Sequence, residues 1–141
     1  MTITMGTLED REQIRELYAR YAHTIDNGRW DEWLECFTED GVFESSRFGR
    51  HAGRDGLRRF TAIYKESLGS AKPIHMMTNM TFTVDGERAT GGCYLAYFHC
   101  LNGKAALSAV GHYTDRLRKV GGQWKFESRK VVVDGALPEH V

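Results

Sequence analysis

Four long runs of strand-forming residues fill the second half of the sequence and constrain the fold more than any other feature. Thr, Val, Phe and Tyr are frequent in residues 73–84, 88–101, 105–119 and 123–133. Short segments separate the runs (VDGE, LNGK and KVGGQW), and each contains the glycine that tight hairpin turns require. The pattern therefore predicts four consecutive antiparallel strands joined by hairpins.

The first helix is predicted from one apolar stripe. Apolar residues recur there at three- and four-residue spacing: Ile14, Leu17, Tyr18, Tyr21 and Ile25. Thr7 followed by Asp10 predicts an N-terminal cap, and Asn27-Gly28 predicts the end of the helix.

Two shorter helices are predicted next. The spacing of Trp30, Trp33, Leu34 and Phe37 indicates the second, which TEDG closes before a brief strand at VFES. Apolar residues between Leu57 and Leu68 indicate the third, which GRDG opens. Helices followed by an antiparallel meander predict an α+β fold, with the helices packed on one face of a curved sheet. The other face would meet solvent or a partner.

Length, charge and cysteine content argue against several classes of protein. A chain of 141 residues predicts one domain spanning residues 1–141. The 19 basic residues equal the 19 acidic ones, so no strong attraction to nucleic acid or an anionic membrane is expected. Three cysteines without a C-x-x-C pair fit reduced thiols in the cytoplasm, and no ligand spacing predicts a metal site. No membrane span, signal segment, nucleophilic serine elbow or glycine-rich cofactor loop is recognisable, so no cofactor is expected.

Asp26 and His75 are the two residues best suited to proton chemistry. Asp26 lies in the last turn of the first helix, where the negative end of the helix dipole disfavours a carboxylate. Ordinary turn chemistry in DNG and a functional role explain it about equally well. His75 shares one strand face with Met77, Asn79 and Thr81, and strand parity alone does not decide whether that face points inward. A strand histidine is more often structural, but a neighbouring carboxylate would orient its ring for catalysis.

Other polar strand residues are weaker candidates. His112 could pair across strands on the exposed face. Arg129 is opposite in parity to Trp124 and Phe126, so a surface ion pair is its default role, and Asp115 is expected to form the same kind of pair.

The order of elements and several strings resemble the SnoaL-like branch of the nuclear transport factor 2-like superfamily. The resemblance spans nearly the whole chain, from EDREQIRELYARYAHTIDNGRWDEWLECFTEDGVFE through GRDGLRRF and HMMTNMTFTVDGERATGGCYL to GHYTDRLRKVGGQWKFESRKV. It implies a cone-shaped α+β barrel, in which N-terminal helices close over a strongly curved, mostly antiparallel sheet and enclose a deep apolar pocket.

Within that branch the chain is most similar to the scytalone dehydratase, bile-acid dehydratase and hexachlorocyclohexane dehydrochlorinase group. The resemblance implies a catalytic dyad of Asp26 and His75 that face each other across the pocket. It also implies catalytic roles for Arg129 and Tyr21, whereas His112 falls only near the position of a second pocket histidine. The additional carboxylate of the bile-acid enzyme is replaced here by Tyr97.

The resemblance favours a small-molecule lyase that eliminates water or halide from a small, apolar, cyclic substrate. The residues expected to bind substrate or exclude water are Tyr18, Trp30, Trp33, Phe37, Met77, Asn79 and Tyr97. Two alternatives share the fold: an isomerase or polyketide cyclase in which the aspartate is the base, and a non-catalytic small subunit of a ring-hydroxylating dioxygenase. The enzyme interpretations predict a homodimer or homotrimer.

Overall fold

The computed structural model describes residues 5–137 and contains three helices and six strands in this part of the chain. The helices are α1 (Met5–Asp26), α2 (Trp30–Leu34) and α3 (Gly53–Leu68). The strands are β1 (Phe37–Ser45), β2 (Gly49–Ala52), β3 (Lys72–Asp85), β4 (Arg88–Leu101), β5 (Lys104–Val120) and β6 (Gln123–Ala136). Among these residues, no helix is long and apolar enough to span a membrane.

All six strands form one sheet in the order β2-β1-β6-β5-β4-β3. Strands β3 to β6 form the predicted antiparallel meander, with ends within three residues of those expected. The turns between them contain Gly86, Gly103 and the pair Gly121-Gly122, all with the positive φ that glycine adopts most readily. Strand β1 pairs in parallel with β6, whereas the other neighbouring strands pair antiparallel. The sheet is therefore mostly antiparallel.

Three details of the first half differ from the sequence prediction. Helix α1 already includes Met5, so Thr7 lies within the helix and the predicted N-terminal cap at Thr7 is wrong. Helix α2 ends at Leu34, and the TEDG segment belongs to β1 because the chain pairs with β6 at Phe37 and Phe126. The short strand β2 was not predicted; its four residues pair with the end of β1.

Bulges bend the sheet and reverse the side-chain alternation of its strands. One lies in β3 between Thr78 and Thr81, where Asn79 has a φ of 55°. Another inserts Glu127 into β6 opposite the step from Arg116 to Leu117. Extra residues of this kind increase strand twist and curvature. The helices pack against the concave face, and the cone-shaped α+β fold expected from the sequence is confirmed.

Candidate active site

A cavity of about 560 Å³ lies between the helices and the concave face of the sheet. Its volume is typical of a small-molecule site. Most of its lining is aromatic or aliphatic: Tyr21, Ile25, Phe43, Phe48, Phe60, Tyr64, Leu95, Tyr97, Ala109, Tyr113, Val131, Val133 and Ala136. The polar lining consists of Ser45, Ser46, Arg47, His75 and Ser108.

Asp26 and His75 are in direct contact although they are distant in the sequence. One carboxylate oxygen of Asp26 lies 2.5 Å from Nδ1 of His75, and the other accepts the backbone N–H of His75 at 2.9 Å. The two side chains are only 9% and 7% exposed, respectively. This two-point contact fixes the imidazole ring. When the ring is neutral and donates from Nδ1, Nε2 is an acceptor for a ligand in the cavity.

Lys72 places a positive charge at the C-terminal end of α1, where Asp26 carries a carboxylate. Its ammonium group donates to the backbone oxygen of Asp26 at 3.2 Å and to the side-chain oxygen of Asn27 at 2.9 Å. A cation near a helix C-terminus interacts favourably with the helix dipole. The residue that begins β3 therefore helps to hold the end of α1 against the strand that carries His75.

Two tyrosines lie beside this pair. The hydroxyl groups of Tyr64 and Tyr97 are 2.6 Å apart, and the Tyr97 ring centroid lies 4.7 Å from that of His75. Burial raises the pKa of Tyr97 to about 12, against the opposing effects of its hydrogen bond with Tyr64 and the positive charge of Arg47. Burial also raises the pKa of Tyr64 well above its ordinary value, as does the neighbouring Tyr97. Both groups therefore remain protonated at neutral pH; one hydroxyl donates to the other, which leaves one proton for a hydrogen bond to a ligand.

Arg129 and Asp115 form an ion pair behind the cavity wall. Nε of Arg129 donates to Asp115 at 3.0 Å, and both side chains are fully buried. The Tyr18 hydroxyl donates to the second oxygen of Asp115 at 2.7 Å. The guanidinium carbon of Arg129 lies 3.6 Å from the ring centroid of Tyr113 and 4.2 Å from that of Tyr21, and both rings line the cavity. Arg129 is thus separated from the cavity by two aromatic rings.

Burial opposes the charged form of both members of this pair. It raises the pKa of Asp115, although Arg129 and the Tyr18 hydroxyl act in the other direction. Burial alone would lower the pKa of Arg129, but the negative charge of Asp115 together with Tyr113, Tyr21 and Cys93 outweighs it, and the pKa is raised. The direct hydrogen bonds and the surrounding rings stabilise the ion-paired form.

The sequence profile of the SnoaL-like domain matches residues 6–130 of this chain. The chain belongs to the SnoaL-like family. No curated protein matches it.

Solved structures with the same fold cover nearly all of this SnoaL-like domain. The D26N variant of Rv3472, a protein of unknown function from Mycobacterium tuberculosis, is 29% identical with a TM-score of 0.84, covering 96% of this chain and 78% of that one. An NTF2-like protein with a cystatin-like fold from Novosphingobium aromaticivorans is 25% identical with a TM-score of 0.82, covering 99% of this chain and 96% of that one. The predicted membership of the nuclear transport factor 2-like superfamily is confirmed.

A third structure is similar in fold alone. The β subunit of a candidate aromatic-ring-hydroxylating dioxygenase from Novosphingobium aromaticivorans is 18% identical with a TM-score of 0.77, covering 94% of each chain.

Several residues expected to bind substrate do not line the cavity of this SnoaL-like domain. Tyr18, Trp33 and Phe37 are fully buried in the aromatic core. Met77 contacts Arg129 through its sulfur, and Trp30 packs against the outer side of Tyr64 and lines a separate surface cleft. The strong apolar periodicity of these residues reflects the packing between helices and sheet. Of the expected wall residues, Tyr97 lies at the cavity, as does the catalytic candidate Tyr21.

Three further corrections concern strand residues, and bulges explain two of them. Asn79 occupies the bulge of β3 and is exposed, so its predicted place on the face of His75 is wrong. His112 does not line the cavity and contacts Asp134 on the surface at 2.6 Å, so its expected place at the pocket is wrong. The extra residue Glu127 turns Arg129 inward, and the surface ion pairs predicted for Arg129 and Asp115 are instead one buried pair.

Most residues that line the cavity were not predicted as site residues, and three of these have polar side chains that could contact a ligand: Tyr64, Ser108 and Arg47. Tyr64 belongs to the predicted apolar stripe of α3, and its spacing gave no reason to distinguish it from core residues. Ser108 is the extra residue of a bulge in β5, and Arg47 lies in the turn after β1, so neither position has a periodic signal. Among residues 5–137, no three His, Cys, Asp or Glu side chains are grouped to hold a metal ion.

Proposed function

We propose that the protein is a small-molecule lyase of the dehydratase or dehydrochlorinase type that uses Asp26 and His75 as a catalytic dyad. The observation that carries the proposal is the two-point contact between these residues at the wall of a mostly apolar cavity. A histidine held in one tautomer by a carboxylate, with its other nitrogen free for substrate, is suited to general base catalysis.

The elimination uses His75 as the base. Nε2 takes a proton from a carbon next to an activating carbonyl group, and the electron pair of the broken C–H bond forms the new double bond. Hydroxide or halide departs from the neighbouring carbon with its own bonding pair. Asp26 holds Nδ1 and stabilises the imidazolium ion that forms, as a positioned carboxylate does in other acid–base sites.

Tyrosine hydroxyl groups would stabilise the negative charge that develops during elimination. Tyr97 lies nearest to the imidazole ring and stays protonated, so it can donate to an enolate oxygen or to the leaving group. Tyr21 lies at the same wall, edge-on to His75. Arg129 does not touch the cavity, so in this proposal its positive charge acts through the rings of Tyr21 and Tyr113.

The substrate would be small, apolar and cyclic, and the reaction would need neither cofactor nor metal. The aromatic walls supply apolar contact and exclude water, which strengthens each electrostatic interaction inside the cavity. We further propose a cytoplasmic homodimer or homotrimer.

The dyad can be tested with cyclic β-hydroxy and β-chloro ketones of one to three rings. Loss of water or hydrogen chloride gives a conjugated enone whose absorbance measures turnover. His75→Gln keeps a donor for Asp26 but has no basic nitrogen, so kcat should fall by about 10²–10⁴-fold. His112→Ala is the matched control, because it removes a second His–Asp contact outside the cavity and should leave kcat unchanged.

The same experiment distinguishes the competing functions. An isomerase or cyclase with Asp26 as the base would keep measurable turnover in His75→Gln, although both Asp26 oxygens are already engaged by His75. A dioxygenase small subunit, suggested by the similar fold of such a β subunit, would be inactive on every ketone and would associate with a larger iron-containing chain. Either result would overturn the lyase proposal.

A further inference from the structure

Arg47 is the only side chain with a permanent charge among the described residues that line the cavity. It is exposed, as are its neighbours Ser46 and Ala136 in the lining, whereas Tyr21 and Tyr113 at the other end are buried. Arg47 therefore lies at the mouth. Within residues 5–137 no carboxylate lies within ion-pair distance of its guanidinium group, which packs over the Phe48 ring at 4.9 Å.

The turn that carries Arg47 is held in place by hydrogen bonds. The Ser45 hydroxyl accepts the backbone N–H groups of Arg47 at 3.1 Å and Phe48 at 3.2 Å. The Ser46 hydroxyl accepts the N–H of Val133 at 3.1 Å, which connects the turn to β6. His51 bonds to the carbonyl oxygen of Phe48 at 2.8 Å. The backbone at Arg47 is thus ordered before any ligand arrives, which lowers the entropic cost of binding.

The charge of Arg47 acts on the same part of the cavity as the dyad. It is close enough to oppose the effect of burial on the pKa of Tyr97, the ring next to His75. A ligand that reaches from the mouth to His75 would pass both the guanidinium group and the hydroxyl groups of Tyr97 and Tyr64. The guanidinium group supplies positive charge and the hydrogen-bonded hydroxyl pair has one proton left to donate, and both suit an anion.

We infer that the ligand of this cavity carries a carboxylate, which Arg47 binds at the mouth while an apolar ring fills the interior. The inference specifies the substrate class of the proposed lyase and rests on the same cavity. It does not depend on the elimination chemistry. An uncharged ligand of the same shape would leave Arg47 solvated and would lose the charge-assisted hydrogen bonds.

Binding of matched acid and amide probes tests the inference without turnover. We would measure dissociation constants by calorimetry for benzoate, 2-naphthoate and 2-anthroate, each beside its neutral carboxamide. Wild-type protein should bind at least one acid about tenfold more tightly than its amide, the range expected for a hydrogen bond to a charged group. Arg47→Gln should abolish that preference, and Arg47→Lys should retain part of it because the charge remains.

Arg50→Gln is the matched control, since Arg50 is an exposed arginine on the neighbouring strand β2 and does not line the cavity. It should bind the probes as the wild type does. Raised salt should weaken acid binding to wild type more than to Arg47→Gln. No preference for any acid, or a preference that survives in Arg47→Gln, would overturn the inference. Loss of the preference in Arg50→Gln would show a general effect of surface charge and would also overturn it. If only the test of Asp26 and His75 as a dyad failed, the inference that the ligand carries a carboxylate would still hold.

Discussion

Tyr97 shows how one residue changes the chemistry available at the site. It occupies the position where the resemblance to the bile-acid enzyme implies a carboxylate, and it places a neutral donor there in place of an acceptor. Its hydroxyl group is paired with that of Tyr64, so both orientation and protonation are set by the surroundings. The site therefore holds one base and a hydroxyl pair with one proton to donate, an arrangement that suits elimination through an enolate.

The role of Tyr97 can be tested by removing its hydroxyl group alone. Tyr97→Phe keeps the ring beside His75 but deletes the donor, so kcat should fall by about 10²-fold while the fold is retained. Turnover of the best ketone substrate measures this effect. Tyr94→Phe is the control, because Tyr94 lies on the same strand but is 61% exposed on the outer face. An unchanged kcat in Tyr97→Phe would contradict the donor role.

The predictions for single residues succeeded where they depended on local pattern and failed where they depended on strand parity. Asp26 ends a regular helix, so its position follows from helix periodicity, whereas strand alternation leaves open which way the face of His75 points. Their mutual contact does not follow, because nothing in either segment encodes the other; it required the resemblance to a known fold. Asn79 and Arg129 come within or after a bulge, where each extra residue reverses the face.

At the scale of elements, the sequence predicts the meander well because turn chemistry is local. Glycines at the hairpins determine where β3 to β6 end, and these ends agree with prediction. The segment after α2 was predicted wrongly because its strand pairing is not local. Residues 37–41 carry turn-forming types, and only pairing of Phe37 with Phe126 from the end of the chain makes them part of a strand. Such a long-range pairing has no local signal.

The buried pair of Asp115 and Arg129 joins the neighbouring strands β5 and β6, and its removal tests that connection. Asp115→Leu leaves the Arg129 charge buried without a counter-ion, so the free energy of unfolding should fall by about 3–5 kcal/mol. Urea denaturation measures the loss. The double variant Asp115→Leu with Arg129→Met removes both charges and should be less destabilised than the single one.

Arg116→Met provides the control for this experiment, because Arg116 follows Asp115 directly and points to solvent. Its effect should stay within about 0.5 kcal/mol, as for other surface substitutions. A double variant as unstable as the sum of Asp115→Leu and Arg129→Met, each measured alone, would mean that the two charges do not interact.

At the scale of the whole molecule, the two faces of the sheet have different surroundings. The concave face is covered by helices and encloses the cavity, whereas the outer face of β3, β4 and β5 carries exposed apolar side chains. Met76, Ala96 and Val110 are neighbours across these three strands, and Met76 and Val110 are 52% and 42% exposed. A contiguous exposed apolar patch is typical of an interaction surface.

We expect this patch to form the interface of the proposed homodimer or homotrimer. The chain has a mass of 16.1 kDa, so light scattering coupled to size exclusion separates monomer, dimer and trimer clearly. Met76→Glu places a charge at the patch and should convert the wild-type oligomer to monomer, because an unpaired charge at an apolar interface is costly to bury. Leu101→Glu is the control, since Leu101 is equally exposed at the tip of a hairpin and should leave the oligomer intact. A monomeric wild type would contradict the prediction, and an oligomer that survives Met76→Glu would assign the interface to another surface.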